Sequence, residues 1–393
     1  MILCINKFEI GTQKHLLYDG RTFTWVCDAN VPPTSWQAKD VRWAASACQK
    51  KIPQFPGDEY QRMWKFLVKD CTLVKWRHTI PADRFKKQLS NYVEQLWCFL
   101  KDEHDSYYCT TLLRHRKLLE NFRKAKIDTV VFKSFYETAE QQRYNLEKFK
   151  PDNSGYSSAP VYDLVSSSTG RLVITDGPNI LTLSKELRGI FKSRYNDGQL
   201  VQIDLKTLEP RIALYKDSLS IMKIDDIYTD LIIKDLKINV TRDIAKKIVI
   251  ASLYGMSHTA LSRMLPDHIS SYEVLKKIQH VFGIESLTND IKTQIRKTGH
   301  FKNFFGRKLN TSSAFINHFL QSSGVDVSLL IFADIVRELR KENYKFEPIF
   351  VIHDALILDV KKDFLNKIQQ FCQKGFDVPN FNSKFPVKIS NFV

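Results

Sequence analysis

Two aspartates stand where apolar, strand-like runs end. Residues 200–205 (LVQIDL) read as a buried strand closing on Asp204, and residues 349–360 (IFVIHDALILDV) read as a strand hairpin with His353 and Asp354 at its bend. A carboxylate in such a place is costly unless it is paired, hydrated or bound to a metal. A single strand-end Asp is also a common turn or cap residue, so the pair gains meaning only if the fold brings the two together. On adjacent strands they could hold two Mg²⁺ ions about 3.5–4 Å apart, the arrangement used for in-line phosphoryl displacement. A second constellation is RDIAKKIVIASLYG, residues 242–255. Arg242, Lys246, Ile250 and Tyr254 recur every four residues and form one drifting stripe on a helix. That stripe offers phosphate binding at one end and base stacking at the other. An amphipathic helix with a solvated basic edge has the same pattern.

The elements that must position these groups differ along the chain. The first 40 or so residues (ILCINKF, KHLLYDG, TFTWVCD) read as short strands and turns. From about residue 38 to 148 the spacing is mostly helical, as in QLSNYVEQLWCFLKD and LLRHRKLLENFRKAK. The second stretch carries Arg114, Arg116, Lys117, Arg123, Lys124 and Lys126, which suit either a solvated basic face or a grip on duplex phosphates. KPDNSGYSSAP is rich in turn residues and marks an internal boundary. Beyond it, LEPRIALYKD and most of residues 226–298 read as helix, and strands framed by long helices give an α+β core.

Composition narrows the partners. The 393 residues carry 59 Lys and Arg against 43 Asp and Glu, a net charge of +16. Such an excess favours a polyanion through counterion release, or an anionic surface, without naming a reaction. The seven cysteines (Cys4, Cys27, Cys48, Cys71, Cys98, Cys109, Cys372) are scattered with no CxxC pair, which argues against a zinc site or disulfide framework and for a reducing interior. The sequence shows no secretory leader and no apolar run of membrane-spanning length, so the expected address is the cytoplasm, of a bacterial or phage-infected cell.

Six segments, in order, resemble DNA polymerase I (family A) enzymes over roughly residues 155–393. Asp204-Leu-Lys-Thr-Leu-Glu209-Pro-Arg211 is similar to the first palm motif, Arg242-x-x-x-Lys246 through Tyr254-Gly255 to the fingers-helix motif, and Val351-Ile-His353-Asp354 to the second palm motif. Thr169-Gly170-Arg171-Leu172 with Pro178-Asn179, Phe305-Gly306-Arg307-Lys308, and Gln321-Ser-Ser-Gly-Val-Asp326 with Asn317 four residues earlier match further family segments. The resemblance implies a right-hand fold of palm, fingers and thumb, with an antiparallel palm sheet and helical fingers. It further implies that Asp204, Asp354 and the Leu205 carbonyl chelate two Mg²⁺ ions, with Mn²⁺ as a substitute, while Arg242 and Lys246 hold the triphosphate of a dNTP. Tyr254 would stack near the templating base, and Glu209 would crowd a ribose 2′-hydroxyl and so select dNTPs. His353 would touch the primer-terminal phosphate; Arg171, Asn179, Asn317, Gln321, Arg307 and Lys308 would lie along primer and template.

Departures from the family pattern accompany these matches. Ile250 stands where an aromatic usually packs on the nucleotide sugar, Tyr228 replaces a phosphate-contacting His, and Ala355 follows Asp354 where a Glu is common. The resemblance divides the chain into a strand-rich segment (1–40), a helical thumb-like region (41–154), palm (155–230), fingers (231–300) and palm again (301–393). Arg116, Lys117, Arg123 and Lys124 would be thumb contacts to duplex DNA. The first 150 residues are too few for both a thumb and a proofreading exonuclease. The expected protein is therefore a monomeric, exonuclease-free DNA polymerase of phage or mobile-element type, acting on primer-template DNA and dNTPs, with any accessory replication protein unspecified. A single-subunit RNA polymerase and an inactive nucleic-acid-binding scaffold of the same fold are the alternatives.

Overall fold

The computed structural model describes all residues except 33, 49, 53–54, 66–73, 104–106, 168, 215–223, 225, 311–313, 380 and 382–383. Cys71 and the tail of the LEPRIALYKD helix pattern lie outside the described residues. The chain divides into two compact units, Met1–Leu113 and Arg114–Val393.

In the first unit, strands β1 (Leu3–Ile5), β2 (His15–Tyr18), β3 (Phe23–Val26) and β4 (Trp36–Gln37) form one sheet in the order β3-β2-β1-β4. Helices α1 (Ala38–Ala47) and α2 (Ala82–Glu103) follow. The apolar residues of α2 recur at three- and four-residue spacing and are buried: Leu89, Tyr92, Val93, Leu96, Phe99 and Leu100. Arg42 on α1 donates to the Tyr92 hydroxyl on α2 at 2.9 Å. Across the expected limit near residue 40, β4 runs straight into α1. The compact units divide after Leu113, whereas the expected thumb-like region ran to residue 154. KPDNSGYSSAP is a tight turn inside the second unit, where Asp152 accepts backbone N–H groups from Ser154 and Tyr156 at 2.9 and 3.1 Å. Turn-rich composition marks a chain reversal, which need not separate two cores.

The second unit is built on an antiparallel sheet of β5 (Gly198–Leu205), β6 (Phe346–Ile352), β7 (Ala355–Lys361) and β8 (Val387–Asn391), in the order β6-β7-β5-β8. Val201, Ile203 and Leu205 on β5 point into the core; Gln202 and Asp204 point the other way. Helix α3 (Leu208–Ala213) follows β5, and a nine-residue π-helix spans Ile227–Asp235. Then come α4 (Arg242–Leu253), α5 (Ser271–Val281), α6 (Ile284–Thr298), α7 (Phe315–Lys341) and α8 (Lys362–Gln373). Gly324 on α7 faces Leu208 and Ile212 of α3, where a Cβ would make ordinary van der Waals contact at 3.4 Å or more.

Helix α7 corrects one expectation. It is long and apolar enough to cross a membrane by length and composition, with a mean hydropathy of 1.5 over 18 residues. However, 83% of that window is buried inside the protein, as a core helix requires.

Candidate active site

Asp204 and Asp354 meet because β5 and β7 are neighbours: Asp204 faces Ala355 across the ladder, and the Leu205 N–H donates to the Asp354 carbonyl at 3.2 Å. Two non-glycine residues near the pair in sequence are held at positive φ: Thr207 at 52°, three residues after Asp204, and His353 at 54°, immediately before Asp354. Left-handed backbone at such residues costs about 1–2 kcal/mol and is concentrated at working sites. Here it opens α3 after the strand that carries Asp204 and shapes the bend before Asp354. Burial pushes the Asp354 carboxyl up to about 6, with the charge of Asp204 adding to the effect, Glu209 contributing and Lys246 opposing. Burial also raises Asp204, against the Gln202 hydrogen bond (3.3 Å) and the charges of Lys246 and Lys388.

These two side chains sit in a cleft of about 770 Å³ in the second unit. Its walls bring together Arg171, Glu209, Tyr228, Arg242, Lys246, Ile250, Gln321 and His353 with the two aspartates. On α4, Ala245, Ile248, Val249, Ser252 and Leu253 are buried, so the opposite edge turns Arg242, Lys246 and Ile250 toward the cleft. The Thr241 hydroxyl caps this helix by accepting from the Ile244 N–H at 3.4 Å. Tyr254, one turn beyond Ile250, donates its hydroxyl to both oxygens of Glu209 at 2.6 and 2.8 Å. Burial raises the Glu209 carboxyl, while the Tyr254 hydrogen bond and the charge of Arg171 oppose it.

Several contributors escaped the sequence. Asp226 caps the π-helix and ion-pairs with Arg242 at 2.7 Å; burial raises its carboxyl, but Arg242 and Thr229 outweigh that and hold it low. The Arg242 guanidinium also lies 5.5 Å from the Tyr228 ring centroid. The Tyr162 hydroxyl accepts the Val351 N–H at 2.8 Å and donates to the Val351 carbonyl at 3.4 Å, pinning the strand that leads into His353 and Asp354. Lys206 and Lys388 line the cleft as well. A helix-cap pattern hints at Asp226; nothing local announces Tyr162 or Lys388.

Other expected site residues lie elsewhere. Arg307 is buried, donating to Asp326 and to the Leu164 carbonyl at 3.1 Å each. Asn303 donates to the other Asp326 oxygen at 2.6 Å, and His115 packs on the same carboxylate at 3.5 Å. Burial pushes His115 down to about 4, so it is neutral. A Cβ on Gly170, at φ 71°, would collide with the Arg307 guanidinium, which explains a glycine before Arg171. Arg307 thus ties three matched segments together inside the protein instead of facing primer or template. Asn179 caps a short turn, accepting from the Leu181 N–H at 3.1 Å. Lys308 sits in the short strand Lys308–Leu309, and Asn317 in the first turn of α7; neither lines the cleft. Of the cations expected as thumb contacts, Arg116 pairs with Glu120 at 3.3 Å, Arg123 with Glu347 at 3.9 Å and Lys124 with Asp152 at 2.8 Å, and Lys117 is exposed.

Among the described residues no group of three or more His, Cys, Asp or Glu side chains is arranged for a metal. Two carboxylates still suit Mg²⁺, which keeps several waters and is commonly bound through one or two carboxylates plus substrate phosphates. Five basic side chains (Arg171, Lys206, Arg242, Lys246, Lys388) surround four carboxylates (Asp204, Glu209, Asp226, Asp354) in the cleft. Such a site can take a polyanion together with divalent cations.

Comparison with known proteins bears on the family and the fold. The model of DNA polymerase family A matches residues 86–391. Among solved structures, the POL domain of Pol1 from M. smegmatis, in complex with DNA primer-template and dNTP, superposes with a TM-score of 0.58 at 15% identity, covering 90% of this chain and 81% of that one. At that identity the likeness speaks for the α+β polymerase fold. The family match spans most of the chain and both strand-end carboxylates, and the chain belongs to DNA polymerase family A, the DNA-directed DNA polymerases.

Proposed function

We propose that the chain extends the 3′ end of a DNA primer with dNTPs, with Asp204, Asp354 and the Leu205 carbonyl holding two divalent ions, Mg²⁺ or in its place Mn²⁺. Bound there, the ions would lower the pKa of the attacking hydroxyl and steady the charge on the leaving pyrophosphate. The observation that carries this proposal is the meeting of Asp204 and Asp354 on neighbouring strands of a cleft whose facing helix presents Arg242 and Lys246.

The four-stranded sheet serves as palm and residues 231–300 as fingers. Arg242 and Lys246 bind the triphosphate, which must draw Arg242 away from Asp226. Glu209, held by Tyr254, occupies the sugar side of the site and crowds a 2′-hydroxyl. His353, exposed at the bend beside Asp354, meets the primer-terminal phosphate, and Arg171 and Gln321, which line the same cleft, meet the nascent pair. Ile250 gives apolar contact without ring stacking. Positioning and fixed charge supply most of the rate in such a transfer.

Primer extension with dNTPs and rNTPs offered separately tests this. Extension with dNTPs and not with rNTPs is expected. Extension with rNTPs alone would identify an RNA polymerase, and extension with neither would identify a scaffold.

A further inference from the structure

One cation of the cleft belongs to none of the matched segments. Lys388 lies on β8 directly opposite Asp204 in the ladder. Facing residues of an antiparallel pair project to the same side, with Cβ atoms about 4.5–5.5 Å apart, so Lys388 shares the face of Asp204. On its other flank Asp204 faces Ala355. The row across the sheet is thus a neutral residue, a carboxylate and a cation. Lys388 is exposed and lines the cleft, and among the described residues no hydrogen bond or ion pair engages its ammonium. Arg242, by contrast, is already held by Asp226 at 2.7 Å and by the Tyr228 ring. An ammonium beside a divalent-ion carboxylate, with no hydrogen bond or ion pair of its own among the described residues, is badly placed to help bind cations. It is well placed to bind the anion those cations accompany.

Resting on the function proposed above, we propose that Lys388 binds the polyphosphate of the incoming nucleotide from the sheet side, across from Lys246, and holds the pyrophosphate product by the same contact. Lys206, two residues beyond Asp204 and anchored through its N–H to the Pro386 carbonyl at 3.0 Å, widens this basic floor.

The test measures KM for dNTP in primer extension, KM for inorganic pyrophosphate in the reverse reaction, and Kd for primer-template. The variants are Lys388→Ala, Lys388→Met, which keeps most of the aliphatic stem, and Lys388→Arg. Lys133→Ala, at an exposed position outside the cleft, controls for loss of one positive charge. Losing a charge-assisted contact should raise both KM values about tenfold in the Ala and Met variants, while primer-template Kd stays within about twofold. Arg should recover most of the loss, and Lys133→Ala should move nothing. Unchanged KM values, or a weakened primer-template Kd with unchanged KM for dNTP, would overturn this assignment alone. Wild-type protein that extends no primer would overturn the proposed function and the assignment with it.

Discussion

Replacing Asp354 by Asn should stabilise the metal-free protein at neutral pH while abolishing nucleotide incorporation. The Asp354 carboxyl is displaced from 3.8 to about 6, first by burial and then by Asp204. Two units at about 1.36 kcal/mol each give a penalty of roughly 3 kcal/mol for keeping it ionised, which local relaxation reduces to about 2–3 kcal/mol. The sign follows from linkage: the folded state holds this proton more tightly than the unfolded one. The penalty is therefore absent below about pH 4, grows between pH 4 and 6, and is complete above that. Asn keeps the backbone carbonyl that receives the Leu205 N–H and removes the charge. At roughly 2 °C per kcal/mol for a body of this size, the variant should melt about 4–6 °C above wild type at pH 7.5 in EDTA. The gap should close near pH 4. Added Mg²⁺ should raise the melting temperature of wild type and not of the variant, since only a state with a site gains by mass action. A variant no more stable than wild type at pH 7.5, or a gap unchanged in acid, would refute the electrostatic account.

Two further outcomes follow from buried contacts. Tyr162→Phe removes the hydroxyl that bridges both polar groups of Val351, so the Val351 amide should exchange with solvent faster and incorporation should fall; unchanged exchange would show that the bridge does not hold the strand. Arg307→Ala leaves Asp326 charged and buried, which should lower unfolding free energy by about 3–5 kcal/mol in urea titration; a loss below about 1 kcal/mol with weakened DNA binding would return Arg307 to the DNA-facing role expected from its motif.

Local pattern explains what was legible beforehand. The apolar strand-like run closing on Asp204 and the four-residue stripe of Arg242, Lys246 and Ile250 are short-range signals, and both survive folding because each element buries one face. Pairings distant in sequence were not legible. Arg307 reads as a surface base until Asp326, 19 residues on, is placed under it. Arg123 and Lys124 read as free cations until Glu347 and Asp152 are brought beside them. Lys388 gains its significance only from the register of β8 on β5. The compact units divide elsewhere than the expected domain limits for a related reason. Turn-rich composition locates bends, whereas the division after Leu113 depends on which residues pack together.

The most direct measurement is single-turnover dNTP incorporation by Asp204→Ala, run beside primer-template binding of the same protein. If Asp204 and Asp354 form the divalent-ion centre, incorporation should fall below detection while primer-template Kd stays close to that of wild type. Incorporation at an undiminished rate would contradict the assignment of the chemistry to this pair.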